Sequence, residues 1–524
     1  MTATRSHVTQ PEAWADATNP VLPGFHPDPS VCRVGDGEDA WFYLVTSTFE
    51  YLPGIPVHRS RDLVSWELVG HVITDQLDYA RIADSDGLYA PTIRHDGERF
   101  LVACKFVGDP EGASGNFVVT AVDPAGPWSA PVWWHDSTGG DTSLFLEDGR
   151  IWAHGARQAL EPRWHAQGEI WVREVDPVTL RLTGPETVVF ESAVIGAIWT
   201  EGPHLYRNGS SMHLVAAEGG TGRDHAVVAG RSAGPTEVFE VTARNPVLTH
   251  RHLGPDACVV NVGHADLVEA SDGSWWALVL ASRLVDGVDL LGRETFLTPV
   301  VWVDDSPVLA PGEGTLVPEP GGPARPDGHG TQGPPTRGAD EPWIAVRRLP
   351  AEIAEPAVDS AGTTAALRLT AGRPLDDPLP AFVGRRLLAP SSTVTLDVPV
   401  APADGVEEVG LALRQSGRQW LTAGLASRST GPEGGHDLVV TRCVHGRREE
   451  AARCPVAGPG QVRVRVHGRT AEVSWSARDE TTPVVTVDVA HLSTTHADGF
   501  VGVVAGPYAV GTGAIDVGPF MQQR

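Results

Sequence analysis

Three carboxylates, an aromatic ring and an imidazole recur at one offset along this chain. Gly37, Gly97, Gly149, Gly209 and Gly273 each sit in a tight turn between two strand-like runs. Counting back eight or nine residues from each glycine reaches Asp28, Tyr89, Asp141, Glu201 and His264. If the five units stand around an axis, these side chains converge at one mouth of a channel. Sequence-distant carboxylates brought together in this way form an acid/base site. Taken singly, each carboxylate reads as an ordinary exposed loop residue, and the aromatic and the histidine as ordinary core. The shared offset is what argues for a site.

The elements that must position them are short strands. The five units read PSVCRVGDGEDAWFYLVTS, PTIRHDGERFLVACKF, TSLFLEDGRIWAHGA, PHLYRNGSSMHLVAAEG and ADLVEASDGSWWALVLAS. Asp-Gly or Asn-Gly between β-rich runs is a strong short-range hairpin signal. The turn glycines recur at intervals of 52 to 64 residues, room for about four short strands each. This predicts an all-β catalytic domain over 19–309, a five-bladed β-propeller, with a β-sandwich of several hairpins as the alternative. Residues 310–342 are dense in Pro and Gly and read as a linker. Beyond them, runs such as STVTLDVPV, QVRVRVHG and TAEVSWSA alternate with period two, which predicts a β-sandwich over 343–524. Residues 1–18 read as an N-terminal tail.

Composition narrows the partners. Among 524 residues, acidic side chains exceed basic ones by 66 to 40, a formal net charge of −26. Nucleic acid and anionic membrane surfaces both need a basic footprint, so neither is expected. No run of 18 apolar residues occurs to cross a membrane. A neutral ligand suits the charge, and a homo-oligomer is left open. Gly 58, Pro 43 and Trp 16 fit a turn-rich β protein with an aromatic-lined site. Lys105 is the sole lysine, for which a G+C-rich coding bias is the plain explanation. The five cysteines are irregularly spaced without a CxxC pair, which argues against a zinc site or a disulfide framework. Met1 to Trp14 lacks the pattern of a secretory signal, so a cytoplasmic location with reduced thiols is expected.

The words around the recurring positions resemble glycoside hydrolase family 43, which includes β-xylosidases and α-L-arabinofuranosidases. They are NPVLPGFHPDPSVCRVGD, STFEYLPGIPVHRSRDLVSW, TEGPHLYRNG, AEGGTGRDHAVVAGRS, GHADLVE and LGRETFLTPVVW, in the family's order over roughly residues 19–308. The remainder looks like the β-sandwich of the β-xylosidase branch. The resemblance implies a five-bladed propeller and hydrolysis of a glycosidic bond with inversion. It further implies Asp28 as general base, Glu201 as general acid and Asp141 as the aspartate that tunes the acid. Arg293 matches an arginine reaching the pocket. Phe49 and Tyr89 match its aromatic walls, and Phe500 matches a residue by which the sandwich closes it. His264 matches a histidine at the channel centre that helps hold a structural metal, here expected to be calcium; no cofactor is needed for the chemistry.

Three residues depart from the family pattern. Gly140 stands where a bulky apolar residue is usual, Thr142 where Pro is usual, and Tyr89 where many members have Trp. The expected activity is exo-hydrolysis of terminal xylosyl or arabinofuranosyl residues from plant-derived oligosaccharides. The alternatives are a non-catalytic carbohydrate-binding propeller–sandwich and another propeller glycosidase, such as a fructan hydrolase. Three carboxylates at matched positions favour the enzyme, since a binding module does not need them.

Overall fold

A computed structural model describes residues 19–108, 112–317, 341–357, 366–399, 402, 405–427, 435–456, 459–477 and 480–523. The expected tail, 1–18, and most of the expected linker, 318–340, lie outside the described residues.

Five antiparallel sheets, each built on a path of four strands, follow one another in chain order. Their first strands are Ser30–Val34, Gly87–His95, Gly140–Glu147, Glu201–Asn208 and Val259–Glu269. Each pairs next with the strand across its tight turn. In the third sheet Glu147 pairs with Arg150 across a two-residue turn, and Asp148 and Gly149 there have φ of 51° and 74°. Two consecutive positive φ angles define the hairpin turn that Asp-Gly favours. Apolar side chains fill the spaces between sheets: Tyr43, Val57, Val102, Cys104 and Phe117 form one such cluster between the first two.

The ring is closed by the start of the described chain. Asn19 exchanges two side-chain hydrogen bonds with the backbone of Leu297, both 2.9 Å, and Leu22 bridges Thr295. A second tie lies on the axis. The buried Asp266 carboxylate, in the fifth sheet, accepts from Ser30 Oγ and Val31 N–H of the first sheet, Arg94 of the second and Tyr206 Oη of the fourth. Ser143, in the third, bonds His204 Nδ1 at 2.9 Å, and Arg94 reaches the same nitrogen at 3.2 Å.

The C-terminal part is a sandwich. An eight-stranded sheet faces a five-stranded one and a three-stranded one. In the strand Gly460–His467, Val462, Val464 and Val466 point inward against Val409, Leu411 and Leu413. The eight-stranded sheet does not stop at the sandwich. Its edge strand is Tyr51–Leu52, from the first propeller unit, paired antiparallel with Ile344–Val346. The Arg386 guanidinium, fully buried, donates to Phe25 O at 3.0 Å. The two parts are therefore joined through backbone and buried charge as well as through contact.

Candidate active site

In or just before each first strand stands a left-handed residue, where the chain reaches the mouth of the channel. They are Asp28, Ala90, Asp141, Gly202 and His264, with φ between 41° and 57°. In the second, third and fourth sheets this residue lies in a β-bulge, between Tyr89 and Thr92, Gly140 and Ser143, and Glu201 and His204. Bulges re-aim side chains, and a left-handed backbone at a non-glycine residue persists only where its surroundings hold it. The offset counted from the turn glycine hides a difference of one residue. Gly149 is the second of two turn residues, whereas Gly209 is the first, since Asn208 pairs with Ser211. Asp141 thus sits on the bulge, while Glu201 is the last paired residue before it.

Asp28 is the most tightly held of the three carboxylates. Its Oδ2 accepts from Ser47 Oγ at 2.7 Å, and Ser47 Oγ accepts from Ala90 N–H at 2.7 Å. Arg293 Nη1 lies 3.4 Å and His264 Nδ1 3.8 Å from Asp28 Oδ1. Burial pushes the Asp28 carboxyl up, but Arg293, His264 and the Ser47 hydroxyl outweigh it and hold it below its ordinary value. Glu201 lies at the other extreme. Burial, then the neighbouring charges of Asp141 and Asp28, push it well above the ordinary glutamate value, opposed by Arg293. Asp141 is raised by burial and by Asp28, against His264 and the Gly202 N–H, which donates to its Oδ2 at 3.0 Å. That hydrogen bond couples Asp141 to the residue next to Glu201. Gly202 must lack a side chain, because a Cβ there would stand 2.7 Å from His264 Nδ1.

The aromatic residues come together as one wall. Phe49 stacks on Phe500 with centroids 5.6 Å apart, and Tyr89 meets both edge-on at 5.0 and 5.7 Å. The Arg293 guanidinium lies 5.2 Å from the Phe500 ring and 5.8 Å from the Phe49 ring. Phe500 belongs to the sandwich, and its N–H donates to Ser85 Oγ at 3.1 Å. Farther along, Val503 N–H donates to Leu290 O at 2.9 Å, which seats this segment on the loop leading to Arg293.

His264 faces Asp28. Among the described residues no three His, Cys, Asp or Glu side chains gather into a metal-binding set. The side chains around His264 thus do not themselves form a cage for the expected calcium.

Some residues at the site carry no signal that the offset could reveal. Ser47 lies in the quoted word STFEY, but its link to Asp28 is visible only in three dimensions. Lys105 pairs across strands with Tyr89, and a Cβ at Gly140 would lie 3.4 Å from its stem. Coding bias explains why the chain has one lysine but not why it stands here. Ser85 is a junction: its N–H donates to Glu50 Oε2 at 3.0 Å and its carbonyl accepts from Tyr89 Oη.

The model for glycosyl hydrolases family 43 matches residues 17–307. The chain belongs to this family. A second model, for the beta-xylosidase C-terminal concanavalin A-like domain, matches residues 355–519 of this glycosyl hydrolase. A "Xylosidase/arabinosidase" of Butyrivibrio fibrisolvens is 43% identical over 309 residues, 58% of each chain. A "Non-reducing end alpha-L-arabinofuranosidase" of Bacteroides ovatus is 33% identical over 518 residues, covering 96% of this chain and 92% of its own. The family 43 chain thus spans little more than half of the first relative and nearly all of the second. Among solved structures, xylan beta-1,4-xylosidase from Bacillus halodurans superposes with a TM-score of 0.83 at 27% identity, covering 97% of this chain and all of its own.

Proposed function

We propose that this family 43 hydrolase is an inverting exo-glycosidase that releases terminal β-D-xylosyl or α-L-arabinofuranosyl residues from oligosaccharides. The observation that carries the reading is the opposite treatment of two carboxyls in one pocket. Asp28 is held below its ordinary value by Arg293, His264 and Ser47, while Glu201 is pushed well above its own by burial and by Asp141. An ionised base and a protonated acid at one pH are what single displacement requires.

In this mechanism Asp28 takes a proton from a water molecule as its oxygen attacks the anomeric carbon. The bond from that carbon to the leaving oxygen breaks, and Glu201 delivers its proton to that oxygen. Inversion needs a carboxyl separation of about 6.5–9.5 Å, enough to admit the water. Asp141 raises Glu201 and fixes the sugar. The Phe49, Tyr89 and Phe500 wall offers its aromatic faces to one terminal ring. The names of the relatives, xylosidase and arabinofuranosidase, support a pentose as that ring. Five free cysteines support work in a reducing cytoplasm on short oligosaccharides.

The test is release of nitrophenol from aryl β-xyloside and aryl α-arabinofuranoside, with proton NMR of the first sugar formed. Turnover with initial accumulation of the opposite anomer is expected. Early accumulation of the retained anomer, or binding of xylooligosaccharides without turnover, would overturn the reading.

A further inference from the structure

Two residues before Glu201 stands a tryptophan whose environment the pocket described above does not explain. Trp199 is 41% exposed, a large apolar ring left open to water. Its φ is 53°, a left-handed conformation that strains a bulky residue. The strain is held by two backbone bonds. Trp199 N–H donates to Ala166 O at 2.9 Å, and Gly219 N–H donates to the neighbouring Ile198 O at 2.8 Å. The indole lies against Gly220, where a Cβ would meet its Cδ1 at 3.2 Å. One face of the ring thus rests on backbone. Trp164 buttresses the same loop, donating from Nε1 to Ala197 O at 2.6 Å. Ile195, in that loop, is 92% exposed, and Val194 is 53% exposed.

A clamped, strained and exposed indole at the entry to the strand that carries the acid has the character of a platform. Sugar rings present flat apolar C–H faces, and an exposed indole is the side chain best suited to receive one. The acid protonates the leaving oxygen, so the leaving sugar must lie on the Glu201 side of the pocket. From this we infer that Trp199, backed by Gly220, forms a subsite for the sugar of the departing oligosaccharide. This rests on the proposed role of Glu201 and deepens it: the protein reads the leaving group as well as the terminal ring.

The experiment compares kcat/KM on xylotriose or an arabinosyl oligosaccharide with that on the corresponding glycosyl fluoride, whose leaving group is too small to reach Trp199. The variants are Trp199→Phe, which keeps a ring, and Trp199→Asn, which removes it but tolerates a left-handed backbone and so protects folding. Trp199→Asn is expected to lose roughly tenfold on the oligosaccharide, mainly through KM, and less than twofold on the fluoride. Trp199→Phe should recover most of the loss. An equal loss on both substrates, or no loss on the oligosaccharide, overturns the subsite. Failure of the wild-type protein to hydrolyse either substrate instead overturns the proposed function.

Discussion

Arg94 and Asp266 form a two-pronged ion pair across the axis of the propeller. Nη1 donates to Oδ2 at 2.9 Å and Nη2 to Oδ1 at 3.1 Å, from the second sheet to the fifth. These sheets are not neighbours in the ring, so the fork ties opposite sides together below the carboxylates. Arg94 and its hydrogen-bond partners outweigh burial and hold Asp266 far below the ordinary aspartate value. A depressed carboxylate contributes stability above its unfolded pKa and loses it as pH falls toward its folded one. Arg94→Leu leaves that charge buried and unpaired. It should cost about 3–5 kcal/mol at pH 7, and less at pH 4, where the unpaired carboxyl can protonate. Urea unfolding at pH 7 and pH 4 checks both effects; a loss under 1 kcal/mol would show the fork to be dispensable.

The two main carboxyls should respond differently to the leaving group. A nitrophenolate departs with little help, whereas a sugar alkoxide needs a proton. Glu201→Ala is therefore expected to lose far more activity on xylobiose or an arabinosyl oligosaccharide than on an activated aryl glycoside. Asp28→Ala should lose roughly 10²- to 10⁴-fold or more on both, because water must be activated in either case. Equal impairment of Glu201→Ala on the two substrates would mean that the roles are assigned wrongly.

The pH profile follows from the same pair. In the proposed mechanism Asp28 works ionised and Glu201 protonated, so Asp28 should set the acidic limb and Glu201 the basic limb of kcat/KM. Asp141→Asn removes a negative neighbour that raises Glu201, so the basic limb should move to lower pH. Arg293→Met removes the largest influence lowering Asp28, so the acidic limb should move to higher pH. Profiles on an aryl glycoside decide this; shifts in the opposite sense would contradict the arrangement of charges.

Glu50, next to the pocket wall, offers a test of the junction between propeller and sandwich. It is fully buried, and burial together with Asp84 raises it to about 7, against Arg414 and Arg347. Stability from a raised carboxyl is present below its unfolded value and lost as pH rises through the folded one. The wild-type protein should thus weaken by up to ~3 kcal/mol between pH 4.5 and 7 through this group. Glu50→Gln keeps an acceptor for Ser85 N–H and should flatten that decline. Thermal unfolding from pH 5 to 8 reads the difference; parallel curves for the two proteins would exclude Glu50 as the source.

Removing the sandwich should do more than open the pocket. A chain ending near residue 317 loses Arg347 and Arg414, which pair with Asp84 at 2.8 and 3.2 Å, and the strand that covers Tyr51–Leu52. Aggregation or a loss of activity beyond 10²-fold is expected, because buried charge is left unpaired. A soluble truncated propeller with full kcat/KM would show that neither the wall nor the ion pairs matter.

The sequence was most legible where chemistry is local. Asp148-Gly149 announces its own turn, and Val462, Val464 and Val466 announce which face is buried. The carboxylates were found because the propeller repeats, and a repeat turns three-dimensional convergence into a one-dimensional offset. The turn register was not legible: Gly149 is the second residue of its turn and Gly209 the first of its own, so Glu201 and Asp141 looked equivalent when they differ by one position. Nor was the junction legible. Asp84 and Arg414 stand 330 residues apart, and Glu50 lies in an aromatic run where a carboxylate reads as an outward strand residue. Such pairs are set by how two sheets dock, which no local pattern encodes.

The continuation of the sandwich sheet into Tyr51–Leu52, and the seat of Phe500 on the pocket, also order events in time. A chain emerging from the ribosome presents Asp28, Asp141, Glu201 and Arg293 long before Phe500 exists. The nascent protein therefore holds its reactive groups in an open bowl and has no closed pocket in which to use them. The wall that closes the pocket is therefore made after all four of the groups it covers, and the order of the chain is also the order in which the site is assembled.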